Sequence, residues 1–242
     1  MRYTHSLRII RRRKHRTKIS LILTGILLLL VVIVGFTLLD AKQFFLGFID
    51  SLFRVTISYF LSLIIAFLLT LFVISSKQIE GFMLPFLDVL QSFPSFALFP
   101  LLIIWFGKTA FVTIVILIIT MIWPILFTLL SAQKQIRTDL LEAATVFGAR
   151  DFSLLRYVLL PLLFPAIVTG SIVAWGEAWE AIIAAEIIVV VPGVGTYLAQ
   201  SGSAFNSQIL IVGIVLLLSL LFIINKYIWL PLLNMSTQYQ QD

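Results

Sequence analysis

Six stretches of this chain are long and apolar enough, or nearly so, to cross a lipid bilayer, and no other feature limits its folding so severely. They run roughly over 19–39, 54–75, 83–106, 110–131, 162–191 and 208–230. A bilayer core about 30 Å thick takes about 20 residues of helix rising 1.5 Å each. The expected fold is therefore all-α, a polytopic membrane helical bundle of about six transmembrane helices. With 61% hydrophobic residues, 12% charged residues and a mean hydropathy of +1.11, little of the 242-residue chain is left for a soluble domain. The expected division is a basic tail over 1–18 and a single membrane domain over 19–242.

A formal charge of +6 could suggest nucleic acid, but eight of the 17 Lys and Arg residues lie in the first 18 positions. Arg2, Arg8, Arg11, Arg12, Arg13, Lys14, Arg16 and Lys18 form a membrane-orienting cluster, and no nucleic-acid partner is expected. The run from Ile19 to Leu39 exceeds a signal-peptide core and lacks a small-residue cleavage site, so it reads as a retained anchor helix. With the tail inside and six spans, the inside segments hold 14 Lys and Arg residues, and the outside holds Lys42, Arg54 and Lys108. That bias puts both termini and residues 132–161 in the cytoplasm.

The chain has no cysteine, and its two histidines, His5 and His15, sit in the basic tail. Thiolate metal sites, cysteine nucleophiles and Ser-His-Asp triads are thereby excluded, and no metal is expected. No Gly-x4-Gly-Lys-Ser/Thr run occurs, so no nucleotide cofactor is expected on this chain. Val191-Pro192-Gly193-Val194-Gly195-Thr196 reads as a turn. Asp40, Lys42 and Asp50 mark a short wet loop whose Phe44, Phe45 and Phe48 suit a helix lying on the membrane surface.

Two membrane runs are chemically unusual. The third is interrupted by Gln91-Ser92-Phe93-Pro94-Ser95-Phe96 and again by Pro100, and each proline removes a helical hydrogen bond. Such a break is either a kink filled by neighbouring side chains or a lining of the translocation path. Phe93, Pro94 and Ser95 are its candidate path residues. The fifth run carries Trp175, Glu177, Trp179, Glu180 and Glu186, and intramembrane acids face a bundle interior or a wet cavity. At 100° per residue Glu177 and Glu180 share a face, while Glu186 points almost opposite to Glu177. One cavity is not expected to hold all three acids. They serve either as path residues or as acids bonded across helices, with Glu186 near the outer interface.

The longest polar interruption lies between the fourth and fifth runs and carries Lys134, Arg137, Asp139, Glu142, Arg150, Asp151 and Arg156. Asp139 reads as a helix N-cap, with Glu142 three residues on to return a bond. Leu140, Ala143, Ala144 and Phe147 supply an apolar stripe, and Gly148 a left-handed stop. Asp151 is expected to cap a second short helix through Leu159, ended by Pro161.

Glu142-Ala143-Ala144, Gly148 after three residues and Val158-Leu159-Leu160-Pro161 after nine more resemble the E-A-A-x3-G-x9-I-x-L-P signature of permeases of bacterial binding-protein-dependent ABC importers. Val158 in place of isoleucine is the single departure. Gln91-Ser92-Phe93-Pro94, Pro100 to Gly107, Ala185-Glu186 and Gly193-Val194-Gly195 are similar to the nitrate, sulfonate, taurine and bicarbonate branch, so the resemblance spans roughly 50–230.

The resemblance implies a type I importer permease in the bacterial inner membrane, working with a second permease copy as homodimer or heterodimer. ATP and Mg would bind two cytoplasmic ATPase subunits, and this chain would not itself be an enzyme. Asp139, Glu142, Ala143, Ala144, Phe147, Gly148, Leu160 and Pro161 would couple it to them. An extracytoplasmic binding protein would deliver substrate near 40–53 and 192–207. Substrates in that branch range from inorganic anions and alkylsulfonates to pyrimidine vitamin precursors, yet Glu177 and Glu180 would repel an anion unless protonated, paired or turned away. A secondary transporter or channel working without an ATPase is the competing reading, because broken helices and intramembrane acids occur there too. An intramembrane enzyme ranks last for want of a catalytic constellation.

Overall fold

The computed structural model describes residues 41–203 and 207–238, and among these no strand occurs. The basic tail and the first expected span lie outside the described residues. The helices are α1 (Ala41–Ile74), α2 (Lys77–Gln91), α3 (Phe99–Phe106), α4 (Ala110–Gln135), α5 (Thr138–Val146), α6 (Asp151–Leu154), α7 (Leu160–Val189), α8 (Val194–Ser203), α9 (Ser207–Ile224) and α10 (Leu230–Gln238). Among the described residues four helical segments, Lys42–Ile74, Ala110–Gln135, Phe152–Val189 and Ser207–Ser236, are long and apolar enough to cross a membrane. A fifth crossing exists if α2 and the segment Ser95–Phe106, bent by 79° at a short break, count as one.

Helix α4 lies between α1 and α7 and packs along both. Met121, Ile125, Leu126 and Leu129 of α4 are fully buried in one apolar cluster with Leu163, Ala174 and Ile182 of α7 and Val55 of α1. Because lipid is as apolar as these side chains, close packing and polar contacts between helices do the work that water exclusion does elsewhere. Ser58 and Ser62 of α1 accordingly donate across to the Ile114 and Ile118 carbonyls of α4, both at 3.3 Å.

Three local features depart from expectation. Residues 41–53 do not form a separate surface helix: they are the first turns of α1, with Phe44 and Phe48 buried. Phe44, Phe48 and Leu52 continue the helical spacing of the span itself, and that stripe packs on Tyr197 and Trp179. The third run is two helices rather than one irregular span. Pro94 sits between them at φ −63 and ψ 115, an extended conformation outside the helical range.

Pro161, finally, does not end a helix. The chain stays helical from Asp151 to Val189 through a widened π turn at Leu155–Leu159. Proline withholds the N–H that the Tyr157 carbonyl would accept, and the wide turn makes room for its ring. Leu230-Pro231-Leu232-Leu233 repeats Leu160-Pro161-Leu162-Leu163, and a second π turn, Asn225–Trp229, precedes it at the same offset. The same short sequence meets the same obstacle in the same way.

Candidate functional site

The break before α3 opens onto a cavity of about 740 Å3 between the broken segment, α4 and α7. Gln91, Phe93, Pro94 and Ser95 line it from the break, Thr120, Trp123, Phe127, Thr128 and Ser131 from α4, and Val173 and Glu177 from α7. The α4 residues recur at helical spacing, a polar and aromatic stripe on one helix face. The Thr120 hydroxyl lies 3.1 Å from that of Ser95, tying the break to the stripe. Thr128 donates to the Pro124 carbonyl at 2.6 Å, a back-bond of the kind that accompanies helix bends. The volume is that of a small-molecule site, for which roughly 300–1,000 Å3 is usual.

Of the path candidates, the structure brings together Phe93, Pro94, Ser95 and Glu177. The others go elsewhere. Trp175 meets Tyr59 and Trp229 edge-on, with ring centroids 5.8 and 5.6 Å away. Trp179 stacks on Phe48 at 5.4 Å. Glu180 borders an apolar groove shared with Gly176, Ile183, Leu210 and Leu218, on the α9 side of α7. Three residues of helix turn about 300°, and the remaining 60° or so suffices to put Glu177 and Glu180 on opposite sides of a packing seam.

Glu186 is fully buried and belongs to a separate node. Its Oε1 accepts from the Ser51 hydroxyl and from Arg54 Nη1, both at 2.7 Å, and its Oε2 accepts from the Gly195 N–H at 2.8 Å. Ser51 in turn accepts the Val194 N–H at 3.0 Å. One carboxylate thus fastens α1 to the turn between α7 and α8. At position 193 a Cβ would lie 2.1 Å from the Glu186 carboxyl carbon, so any larger residue there must displace that carboxylate or the turn. The same turn holds Val190 at φ +61, a conformation that β-branched residues avoid, with its N–H on the Glu186 carbonyl at 2.9 Å. Ser51 and Arg54 carry no motif. Their signal in the sequence is a lone base at one membrane edge and a lone acid that needs a partner.

At the opposite end of α4, residues 136–150 carry the motif loop. Helix α5 starts at Thr138, so Asp139 is not its cap: it lies in the first turn and binds Arg137, whose Nε donates to Oδ1 at 3.0 Å. Arg137 competes for the carboxylate that a capped N–H would otherwise use. That guanidinium holds the Asp139 carboxyl below the usual carboxylate range, and the carboxylate raises Arg137. The C-terminal end follows expectation in detail. Gly148 stands at φ +91, its N–H donates to the Thr145 carbonyl, and the Ala149 N–H reaches back to Ala144 at 2.9 Å. These two bonds are a Schellman closure around a left-handed residue. The next helix begins at Asp151, and Ser153 accepts the N–H of the preceding Arg150 at 2.8 Å, as the third residue of a capping box does.

The loop leaves apolar side chains bare. Phe147 is 91% exposed, Val146 84% and Phe152 69%, beside the charges of Arg137, Asp139 and Glu142. Leu160 is also exposed, while Pro161 sits in the first turn of α7. Large apolar groups gathered on a polar segment mark a contact surface.

Chemically, the described residues offer no group of three His, Cys, Asp or Glu side chains placed to hold a metal. What the arrangement offers is a cavity at the level of a broken helix and a bare helical knob at the end of the bundle. The segment aligned with the taurine transport system permease protein of Escherichia coli is 26% identical and covers 62% of this chain and 54% of that one. With the bicarbonate transport system permease protein of Synechococcus elongatus it is 30% identical, covering 65% and 57%. With the nitrate import permease protein of the same organism it is 30% identical, covering 71% and 63%. The chain therefore spans a little over half the length of these relatives. Residues 73–228, which hold the broken span, the cavity, the loop and Glu186, match the family described as binding-protein-dependent transport system inner membrane component, and this multi-pass membrane chain belongs to that family.

Proposed function

We propose that the chain is the translocating permease subunit of an ATP-driven importer, with the 740 Å3 cavity as its share of the substrate path. Residues 132–161 lie in the cytoplasm, as the charge bias requires, and α5 with Gly148 docks on an ATPase subunit that carries the ATP and Mg. The observation that carries this reading is the bare knob: Val146 and Phe147, at 84% and 91% exposure, project from a helix stopped by a left-handed glycine. Burying one such aromatic ring in a groove is worth about 2–3 kcal/mol, enough to make a short helix a firm contact. Ala143 and Ala144 allow close approach along the same helix, and Leu160 and Pro161 set where the helix from the loop becomes a membrane span.

A second permease copy closes the open side of the cavity, and two ATPase subunits drive the pair between inward-facing and outward-facing forms. An extracytoplasmic binding protein delivers substrate at the outer ends of α1 and α8. There Gln43, Asp50, Pro192 and Thr196 line a cleft of about 430 Å3.

The test is co-purification and ATPase stimulation with Gly148→Val, because a β-branched residue cannot reach φ +91 without strain. Membrane insertion is expected to persist while ATPase binding and stimulation are lost. Wild-type stimulation in that variant would remove the coupling role. Purification of the wild-type chain without any ATPase would instead favour a secondary transporter or channel.

A further inference from the structure

Taurine, bicarbonate and nitrate, named for the relatives above, each carry an anionic group, yet the cavity of this chain has the opposite chemistry. Among the described residues no Lys, Arg or His lines it. Its single ionisable lining group is Glu177, which forms no hydrogen bond and no ion pair among the described residues. Gln91, at the break, donates to the Asp88 carboxylate at 3.1 Å, so the group behind it is a second acid and not a base. The aromatic residues Phe93, Phe96, Trp123 and Phe127 line the same cavity as Glu177. A cavity with one carboxylate and an aromatic lining suits a cation with an apolar body, by ion pairing and by cation-π attraction.

The bases of the described bundle are engaged or remote. Arg54 is held by Glu186 at 2.7 Å, Lys134 reaches Glu80 at 3.2 Å, and Lys226 sits over the Tyr227 ring at 5.6 Å. Lys42, Lys77, Lys108, Arg137 and Arg150 lie at helix ends or in the connections between helices, and Arg156 lies in the π turn next to the motif loop, over the Tyr157 ring at 5.8 Å. Glu177 is nine residues from Glu186 on one helix, about 13 Å deeper. A second copy of this chain would bring the same acids and no base to that depth, leaving an anion there without a counter-charge.

Resting on the permease reading, we infer that this path carries an organic cation, such as a protonated amine or quaternary nitrogen on an apolar or aromatic frame, with Glu177 as its counter-ion. The chain lacks cysteine, so Thr128→Cys places a single thiol in the cavity wall. The purified complex is treated with methanethiosulfonate reagents bearing trimethylammonium, sulfonate or methyl groups, and rates are compared with those of free mercaptoethanol. The cationic-to-anionic rate ratio is expected to exceed the free-thiol ratio by about tenfold or more, as fields in charged clefts do. Adding Glu177→Gln should return it to the free-thiol ratio. Benzyltrimethylammonium should slow the modification and benzenesulfonate should not.

A ratio at or below that of the free thiol, a preference unchanged by Glu177→Gln, protection by benzenesulfonate, or no reaction with the methyl reagent would each overturn the inference. Ser131→Cys serves as a second reporter if Thr128→Cys does not fold. ATPase co-purification is read on the same samples. An intact complex with an unselective cavity sinks the cation and leaves the permease standing, whereas a missing ATPase sinks the permease.

Discussion

Glu186 and Glu177 are the same residue type on the same helix, nine positions apart, and their surroundings could hardly differ more. Glu186 is fully buried and accepts three bonds from Ser51, Arg54 and Gly195. Glu177 faces a cavity and accepts none among the described residues. In hydrocarbon an ion is tolerated when it is saturated with partners or when water reaches it. The first case makes a structural rivet, and the second leaves a charge free to meet a solute. An intramembrane acid is therefore read by its bonds before it is read by its depth.

Breaking the rivet has the largest expected effect. Glu186→Ala leaves the Arg54 guanidinium inside the bundle without its carboxylate, strips the Gly195 N–H of its acceptor and leaves the Ser51 hydroxyl only the Gly47 carbonyl. Loss of one member of a buried pair costs about 3–5 kcal/mol. Arg54 keeps a little solvent exposure, so the lower end of that range applies. Thermal unfolding in detergent should register it, with Glu177→Ala unchanged under the same conditions. Equal losses in the two variants would dissolve the distinction between rivet and free acid.

A smaller loss is expected from Gly193→Ala. The added Cβ would meet the Glu186 carboxyl carbon at 2.1 Å, so either the carboxylate or the turn must move. Overpacking of this kind costs about 1–3 kcal/mol, and the displaced turn should also change protease access near residue 192. The paired replacement Arg54→Met with Glu186→Leu should cost less still, within about 1–2 kcal/mol of the parent, since an apolar pair of similar volume removes the desolvation of both charges. If the double variant were as unstable as Glu186→Ala alone, the bond that Glu186 accepts from the Gly195 N–H, rather than the ion pair, would be what holds the turn.

Much of this is legible in the residues. Apolar run lengths place four of the described spans, and the Glu142 to Gly148 spacing locates a helix stopped at Gly148 by its left-handed backbone. Phe93, Pro94 and Ser95 are recognisable because prolines in a membrane run demand a polar or protein-filled neighbour. Trp123, Phe127, Thr128 and Ser131 escape such a reading although their spacing on α4 is helical, because a mixed aromatic and hydroxyl stripe looks apolar in a count of composition. Trp175 and Trp179 mislead for the converse reason. Periodicity says which residues share a face and not which neighbour that face meets, and here Tyr59, Trp229 and Phe48 claim both rings. The rivet joins residues 135 and 132 positions apart, a pairing set by tertiary packing alone.

The smallest effect is expected where an ion pair stands in water. Arg137 and Asp139 are bonded as Arg54 and Glu186 are, but both are exposed, and solvent and salt screen what they gain. The Asp139 carboxyl is held below its ordinary range, first by the hydrogen bond from Arg137. Its contribution is therefore complete above the ordinary carboxylate range and disappears as pH falls through the lowered folded value. Asp139→Asn should lower the unfolding temperature only slightly at neutral pH, and raising the salt should shrink that loss. It should also leave the Schellman closure at Gly148 intact, because that closure uses backbone groups of Ala144, Thr145, Gly148 and Ala149 only. A loss approaching that of Glu186→Ala would mean that burial is not what separates the two pairs, and with it the reason for treating Glu186 as a rivet would go.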